Sequence, residues 1–285
     1  GLLNTLPSVV CERAFLPDPE DAPSRASGSP NLTSLESGRP LRDFDVVAFS
    51  LSFENDYPHV LSLLSLGRIE PLASRRGPQD PLILAGGVAV TLNPEPLADF
   101  VDLFFLGEAE EALPELTARL LAADEEGLGR DECLYGLQRE VEGVYVPRWY
   151  QPSYRPDGPL ESFVPRDPTL PGRVRRRWAA RLDPPAEQAV DTPDTALGAM
   201  FLTEVSRGCP RGCRFCAAGY VYRPARFRDW PSVEASLRRG LERSGRIGLV
   251  GTAVSDHPDL LRMCRYILER QGRIAVGSLR LDRQS

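Results

Sequence analysis

Short, continuously apolar runs alternate with segments of helical spacing, and this alternation limits the fold of the chain more than any other feature. Apolar runs predict buried strands and 3.6-residue spacing predicts helices. The strands are predicted over 44–50, 81–85 and 101–106, and the helices over 57–66 and from about 110 to 123. Strands that are apolar on both faces belong to parallel sheets covered by helices on both sides. Residues 1–150 are therefore predicted to form a doubly wound α/β domain whose first strand is missing.

A second series of the same kind follows. Its predicted strands cover 199–205, 246–250 and 273–281, and its predicted helices cover 232–243 and 258–271. Residues 151–197 are rich in Pro, Arg and Asp without a sustained period, which predicts a linker before a second domain at 198–285. Three strands cannot close a barrel, so we expect the first three βα units of a partial TIM barrel, in a fragment truncated at both ends.

Composition narrows the class of protein. The chain has no apolar run long enough to span a membrane and no signal-peptide pattern at its N-terminus, which predicts a cytoplasmic protein without a membrane partner. Residues 1–200 carry 18 arginines against 32 acidic residues (net −14), whereas residues 201–285 carry 16 against 8 (net +8). The basic part suits an anionic cofactor or a nucleic acid, although arginines on outer helices would give the same count.

Three of the six cysteines, Cys209, Cys213 and Cys216, lie within one short segment directly after a predicted strand. Thiolates with the spacing C-x-x-x-C-x-x-C can bind three corners of a cubane iron–sulfur cluster. Gly208 and Gly212 permit the tight backbone that such a loop needs. Three basic residues of the segment favour thiolates and offset the charge of a cluster: Arg207, Arg211 and Arg214. The spacing therefore predicts a metal site on this loop.

The segment lacks a fourth cysteine, and this distinguishes two kinds of metal site. Structural zinc sites and electron-transfer clusters normally use four protein ligands, whereas three thiolates leave one iron open to a substrate or cofactor. The alternative is a zinc site with a fourth ligand from elsewhere in the chain. The candidates for that ligand are Cys133, Cys264, His59 and His257.

The motif C-x-x-x-C-x-aromatic-C after the first strand of a βα barrel, with Phe215 at the aromatic position, resembles the radical S-adenosylmethionine (SAM) superfamily. The resemblance implies a [4Fe–4S] cluster on the three cysteines and an open iron that binds SAM. One electron, supplied by a donor such as flavodoxin or ferredoxin, would cleave SAM to methionine and a 5′-deoxyadenosyl radical. The cluster would supply this chemistry, and the protein would orient and shield it.

The same resemblance implies where SAM lies. The implied contacts are Phe215, Gly251, Thr252 and Arg280. Superfamily members usually carry a Gly-Gly-Glu-like turn after the second strand, and here that turn reads Gly251-Thr252-Ala253. The first glycine is kept and the glutamate is not, so backbone contacts are the ones expected there. Arg280 is expected to end the third strand and to reach the SAM carboxylate, with a surface salt bridge as the alternative.

The N-terminal sequence resembles the cobalamin-binding class of radical SAM proteins, an uncharacterised-type group. The likeness rests mainly on residues 86–96 and 106–111, which look like strand-end turns of that class. The implied cobalamin contacts are Ser50, Ser52, Gly86, Gly87, Gly107 and Glu108. The Asp-x-His-x-x-Gly motif that supplies an axial histidine is absent. Either cobalamin binds without a histidine ligand, or the domain has kept the fold and lost the cofactor.

These observations predict a radical SAM enzyme. With cobalamin it would carry out radical methylation or alkyl transfer, and without it a reaction that begins with hydrogen abstraction. The substrate stays open, with a modified RNA among the candidates. The alternative is a non-enzymatic iron–sulfur or zinc module associated with nucleic acid, which would use Tyr220, Tyr222 and Phe227. Because the barrel stops after three strands, the 285 residues alone are expected to be inactive.

Overall fold

The computed structural model of the chain describes residues 2–17, 31–183, 186–188, 197–277 and 279–280. The chain divides between Trp178 and Ala179 into two compact units, called unit 1 and unit 2. Parts of the predicted linker (184–185 and 189–196) lie outside the described residues. Within the described ranges, we find no helix with the length and apolar character that crossing a bilayer requires.

Unit 1 is built on a four-stranded sheet with the strands in sequence order. The strands are β1 (Val46–Ser50), β2 (Leu82–Gly86), β3 (Leu103–Phe105) and β4 (Val144–Tyr145). β1, β2 and β3 are parallel, and β4 is antiparallel on the edge. The predicted parallel strands are confirmed. β4 was not predicted because a strand of two residues carries no periodic signal.

Helices follow the strands of unit 1. In the described residues they are α1 (Tyr57–Leu66), α2 (Val88–Leu92), α3 (Ala112–Glu125) and α4 (Arg130–Glu140). α1 and α3 confirm the predicted helices. α4 was not predicted, because its buried apolar stripe is narrow (Cys133, Leu134 and Leu137) and most of its other residues are polar.

Both faces of the unit 1 sheet are covered at β2 and β3, while Ala48 on the edge strand β1 is exposed. Alternate strand residues point to opposite faces, so Val47, Ile83 and Phe104 enter one core cluster while Leu84, Leu103 and Phe105 enter another. Residues of α1 complete the first cluster, and residues of α3 and α4 complete the second. The predicted two-sided cover is confirmed.

A buried ionic cluster fastens the amino edge of this sheet. Asp102, directly before β3, accepts a hydrogen bond from the Ile83 amide at 2.8 Å. Its carboxylate also lies 3.1 Å from Arg76, 3.2 Å from Arg130 and 3.5 Å from Arg148. Removal of one partner from a buried ion pair leaves an uncompensated charge, which is strongly destabilising. The opposite, carboxyl edge is the one where ligands bind in open α/β sheets.

A hairpin lies in the segment that was predicted as a linker. It consists of β5 (Tyr150–Tyr154) and β6 (Leu160–Pro165), which are antiparallel. Its Tyr150 and Phe163 rings stack at 5.4 Å, and Tyr150 also meets Tyr145 of β4 at 5.3 Å. These contacts join the hairpin to the core of unit 1.

Unit 2 contains a three-stranded parallel sheet. Its elements in chain order are β7 (Phe201–Glu204), β8 (Ser206–Arg207), α5 (Ala218–Val221), β9 (Arg226–Phe227), α6 (Trp230–Arg243), β10 (Arg246–Val250), α7 (Leu260–Glu269) and β11 (Arg273–Val276). The sheet has the order β11-β10-β7, and β8 pairs with β9 separately. α6 and α7 pack their buried faces against the sheet around Phe201 and Ile247. The three predicted parallel strands and the two helices between them are confirmed, and in the described residues β11 is the last element.

Candidate functional site

The three clustered cysteines lie at the carboxyl edge of the unit 2 sheet, on residues 208–216, which we call the cluster loop. Cys209 and Cys216 are half-buried and Cys213 is exposed, and all three are free thiols. The Cys216 amide donates to the Cys213 carbonyl at 3.2 Å, so one turn holds these two cysteines. The three thiols are thus close in the chain, form no disulfide and are at least partly exposed.

Contacts from the residues after the loop fix its backbone. Gly208 has φ +80°, and a Cβ there would lie 2.2 Å from the Tyr222 carbonyl oxygen, so only glycine fits. The Tyr220 hydroxyl donates to the Gly212 carbonyl at 3.1 Å, and Arg223 donates to the Arg211 carbonyl at 3.1 Å. The expected role of Gly208 in a tight loop therefore has a definite cause, the crossing of the chain at Tyr222.

Two of the three arginines expected to offset cluster charge are matched by carboxylates. Arg207 forms a fork with Glu204 at 2.7 and 2.9 Å. Arg211 forms another with Asp256, at 3.1 Å from Nη2 and 3.3 Å from Nε. Arg214 is exposed. The loop is therefore less positive than the sequence suggested.

The residues expected to contact SAM lie after the carboxyl ends of neighbouring strands. Gly251 follows β10, and a Cβ on it would lie 2.3 Å from Ser206 Oγ. That hydroxyl is buried and has no hydrogen-bond partner among the described residues. Arg280 lies beyond β11, which ends at Val276 rather than at Arg280 as expected. Arg280 Nη2 reaches Asp256 at 3.1 Å, while Phe215 is 92% exposed.

The structure thus brings Arg280 to the cluster loop through Asp256, which sequence reasoning did not single out. Glu204, which pairs with Arg207 and Arg228, was also missed. Both carboxylates follow or end a predicted strand at the ligand-binding edge. That position is the signal that could have identified them.

Three of the four candidate fourth ligands of a zinc site are poorly suited to bind the metal: His257 is hydrogen-bonded, and the thiols of Cys133 and Cys264 are disfavoured as thiolates by burial. His257 is buried, its Nδ1 accepts from the Asp259 amide at 3.0 Å, and its Nε2 lies 3.2 Å from the Arg228 carbonyl. Burial raises the pKa of the Cys133 and Cys264 thiols. Among the described residues, no three Cys, His, Asp or Glu side chains surround a point suited to a single ion. The cysteines of a cubane cluster bind separate irons and need not share such a point.

The carboxyl edge of unit 1 carries the residues expected to contact cobalamin. Ser50 and Ser52 are exposed there. Gly87 has φ +104°, and its Cβ would lie 2.3 Å from the Leu51 carbonyl oxygen. The backbone after β1 therefore fills the space beside Gly87.

Residues 175–177, which we call the cover segment, lie against the other expected turn. A Cβ on Gly107, at φ +121°, would lie 2.0 Å from the Arg177 carbonyl oxygen. The Glu108 amide donates to that oxygen at 3.0 Å, and the Arg177 amide donates to the Leu106 carbonyl at 2.9 Å. Glu108 is buried, so the chain itself occupies the surface of the Gly107-Glu108 turn.

The aromatic residues cited for a nucleic-acid module make contacts within unit 2. Tyr220 lies beneath the Arg223 guanidinium at 4.5 Å and holds Gly212. Phe227 meets the His257 ring at 5.3 Å, edge to face. These rings support the cluster loop and its neighbour β9, which gives them a structural use.

Comparison with known proteins gives matches over both units. Residues 1–147, more than half of the chain, match the family described as "Radical SAM proteins, N-terminal", and residues 203–280 match "Radical SAM superfamily". A protein of Methanocaldococcus jannaschii described as uncharacterised is 28% identical over 255 residues, which are 87% of this chain and 47% of that protein. The chain thus spans about half the length of this curated relative.

Two solved structures are similar at low identity. The cobalamin-dependent SAM radical enzyme OxsB, with aqua-cobalamin and SAM bound, is 17% identical with a TM-score of 0.48, over 82% of this chain and 30% of that one. The radical SAM methyltransferase TsrM from Kitasatospora setae is 14% identical with a TM-score of 0.43, over 81% and 41%.

Proposed function

Because the chain belongs to the radical SAM superfamily, we propose that its protein is an enzyme that cleaves SAM with a [4Fe–4S] cluster on Cys209, Cys213 and Cys216. The observation that carries the proposal is the cluster loop, which presents three free thiols after a parallel strand on a backbone fixed by Gly208 and Tyr220. The donor set fits such a cluster, since three thiolates leave one iron without a protein ligand. When bound, the cluster supplies the electron that cleaves SAM to methionine and a 5′-deoxyadenosyl radical.

The residues of unit 2 have separate roles in this proposal. The three cysteines bind the cluster, and Gly251 and Thr252 offer backbone groups to SAM. Arg280 and Arg211 both bind the carboxylate of Asp256, which places two guanidinium groups at the edge where the SAM carboxylate is proposed to bind. The exposed Phe215 ring would be covered by SAM or by a further part of the protein. An electron donor such as flavodoxin or ferredoxin completes the proposal.

Only some of the residues expected to contact cobalamin are accessible to a ligand. The exposed Ser50 and Ser52 leave room for a ligand. Gly107 and Glu108 do not fit as contacts, because the cover segment lies on them. We therefore derive no step through cobalamin. Anaerobic titration of the full chain with aqua-cobalamin, followed by gel filtration, tests whether it binds.

Metal analysis of anaerobically reconstituted protein tests the proposed function. The wild-type chain should hold about four irons with matching sulfide. Cys213→Ala should lose most of the iron, whereas Cys264→Ala, which removes a half-buried thiol of α7, should keep it. One zinc per chain in place of iron, or equal iron in both variants, would contradict the proposal. Zinc would favour the non-enzymatic module.

A further inference from the structure

We propose that Asp256 is a positioning residue that fixes the cluster loop between Cys209 and Cys213. The inference rests on the proposed function, because it assumes that the cysteines bind a cluster. Its evidence is the set of contacts that Asp256 makes within unit 2. Asp256 ends a short 3-10 turn, Val254–Asp256, that follows β10. Its carboxylate is only 12% exposed and accepts the Arg211 fork at 3.1 and 3.3 Å.

Arg211 is held at two points. Its side chain is bound to Asp256, and its carbonyl accepts a hydrogen bond from Arg223 at 3.1 Å. Arg211 is two residues from Cys209 and two from Cys213. A residue fixed by both side chain and carbonyl restricts the backbone between two ligands, and thereby their separation. A planar guanidinium bound through two nitrogens gives more directional restraint than a single contact.

Asp256 can act as the fixed partner because its own segment is anchored. Val254 is fully buried in the core of unit 2. His257, the next residue, is tied to the Arg228 carbonyl and the Asp259 amide. The flexible side chain in the pair is therefore the arginine, and the carboxylate determines where it stays.

The same turn also holds the chain after β11. Arg280 reaches Asp256 with Nη2 at 3.1 Å, and its amide donates to Ser255 Oγ at 3.3 Å. One carboxylate thus joins the segments that follow β7, β10 and β11. These are the three segments that carry the proposed cluster and SAM residues.

Hydrogen exchange on the 285-residue chain, without metal, tests the placement independently of the cluster. Asp256→Asn should speed exchange of the cluster-loop amides about fivefold, the upper end of what a partly exposed ion pair contributes. Asp256→Glu keeps the carboxylate and should recover most of the protection. The matched control is Glu187→Gln, which removes the fork to Arg239 (3.0 and 3.0 Å) and should leave the loop unchanged.

A double variant shows whether Asp256 acts through Arg211. If it does, Asp256→Asn combined with Arg211→Gln should exchange no faster than the faster of the two single variants. Additive effects, or unchanged exchange in Asp256→Asn, would overturn the proposal. In reconstituted protein, chelator-driven loss of iron should also be about fivefold faster in Asp256→Asn than in Glu187→Gln. If the wild type takes up no iron, the proposed function fails while the exchange results still decide the role of Asp256.

Discussion

Glycine turns lie at the carboxyl edges of both sheets, but the two edges differ in which side chains they leave exposed. In unit 1, the turns at Gly87 and Gly107 receive backbone from the chain itself, at Leu51 and Arg177. In unit 2, the cluster loop after β7 leaves Cys213 exposed and two other thiols half-buried. A glycine turn at the end of a parallel strand therefore indicates that another group packs closely against its backbone. Whether that group is a ligand or another segment of the chain has to be determined separately.

The largest effect is expected from filling the space between Gly107 and the cover segment. Gly107→Ala adds a Cβ that would lie 2.0 Å from the Arg177 carbonyl oxygen, at φ +121°. We expect a loss of about 3 kcal/mol in the free energy of unfolding, from backbone strain and displacement of the segment. Urea unfolding of the purified chain measures it.

Gly158→Ala is the matched control, because Gly158 has φ +101° and no atom within 4 Å of the added Cβ. It should cost about 1 kcal/mol, the backbone penalty alone. Equal losses in the two variants would break the comparison, since the cover segment would then not press on the Gly107 turn.

A smaller effect is expected at the corresponding turn of unit 2. Gly251→Ala places a Cβ 2.3 Å from Ser206 Oγ and 2.9 Å from the Ser206 carbonyl oxygen, and should cost about 2 kcal/mol. Part of this loss should return in the double variant with Ser206→Ala, because the hydroxyl is then gone. Gly245→Ala, with nothing within 4 Å, is the control for urea unfolding. A Gly251→Ala protein as stable as this control would mean that the turn is loose.

The smallest effect concerns pH. Burial lowers the pKa of His257, although its hydrogen bond to Arg228 and the charge of Asp259 oppose the shift. Between the ordinary histidine pKa and the lowered one, the unfolded chain binds a proton that the folded chain does not, so stability falls as pH falls through this window. Thermal unfolding should show a lower melting temperature at pH 5.5 than at pH 7.5.

His257→Gln should lose most of this pH dependence and be less stable at pH 7.5. His59→Gln is the control, because it removes the other histidine of the chain, which is exposed on α1. Loss of the dependence in both variants would show that the buried ring does not cause it.

The features that the sequence predicts correctly are those that depend on local pattern. Examples are the parallel strands, α1 and the cysteine spacing with Gly208. Each of these is determined by residues that are adjacent or nearly adjacent in the sequence. The cover segment and Asp256 are different, because each depends on a partner far along the chain (Gly107 for Arg177, Arg211 for Asp256). Opposite charge was the available signal, with three arginines at 175–177 and acidic residues from Glu108 to Glu115, but charge alone does not fix a pairing.

Cysteine burial shows the same limit. Cys11 lies in an apolar stretch, which favours a buried thiol, yet it is exposed. Burial of a side chain requires a partner surface, and apolar neighbours in sequence do not supply one.

Asp102 in unit 1 and Asp256 in unit 2 are both matched by guanidinium groups, and the chain contains no lysine. Acetylation removes the charge of a lysine amine and does not act in this way on arginine. Reversible acylation of side-chain amines therefore cannot weaken either ionic cluster within these 285 residues. A modification that changes charge at either cluster has to act on a side chain other than lysine, such as the guanidinium and carboxylate groups themselves.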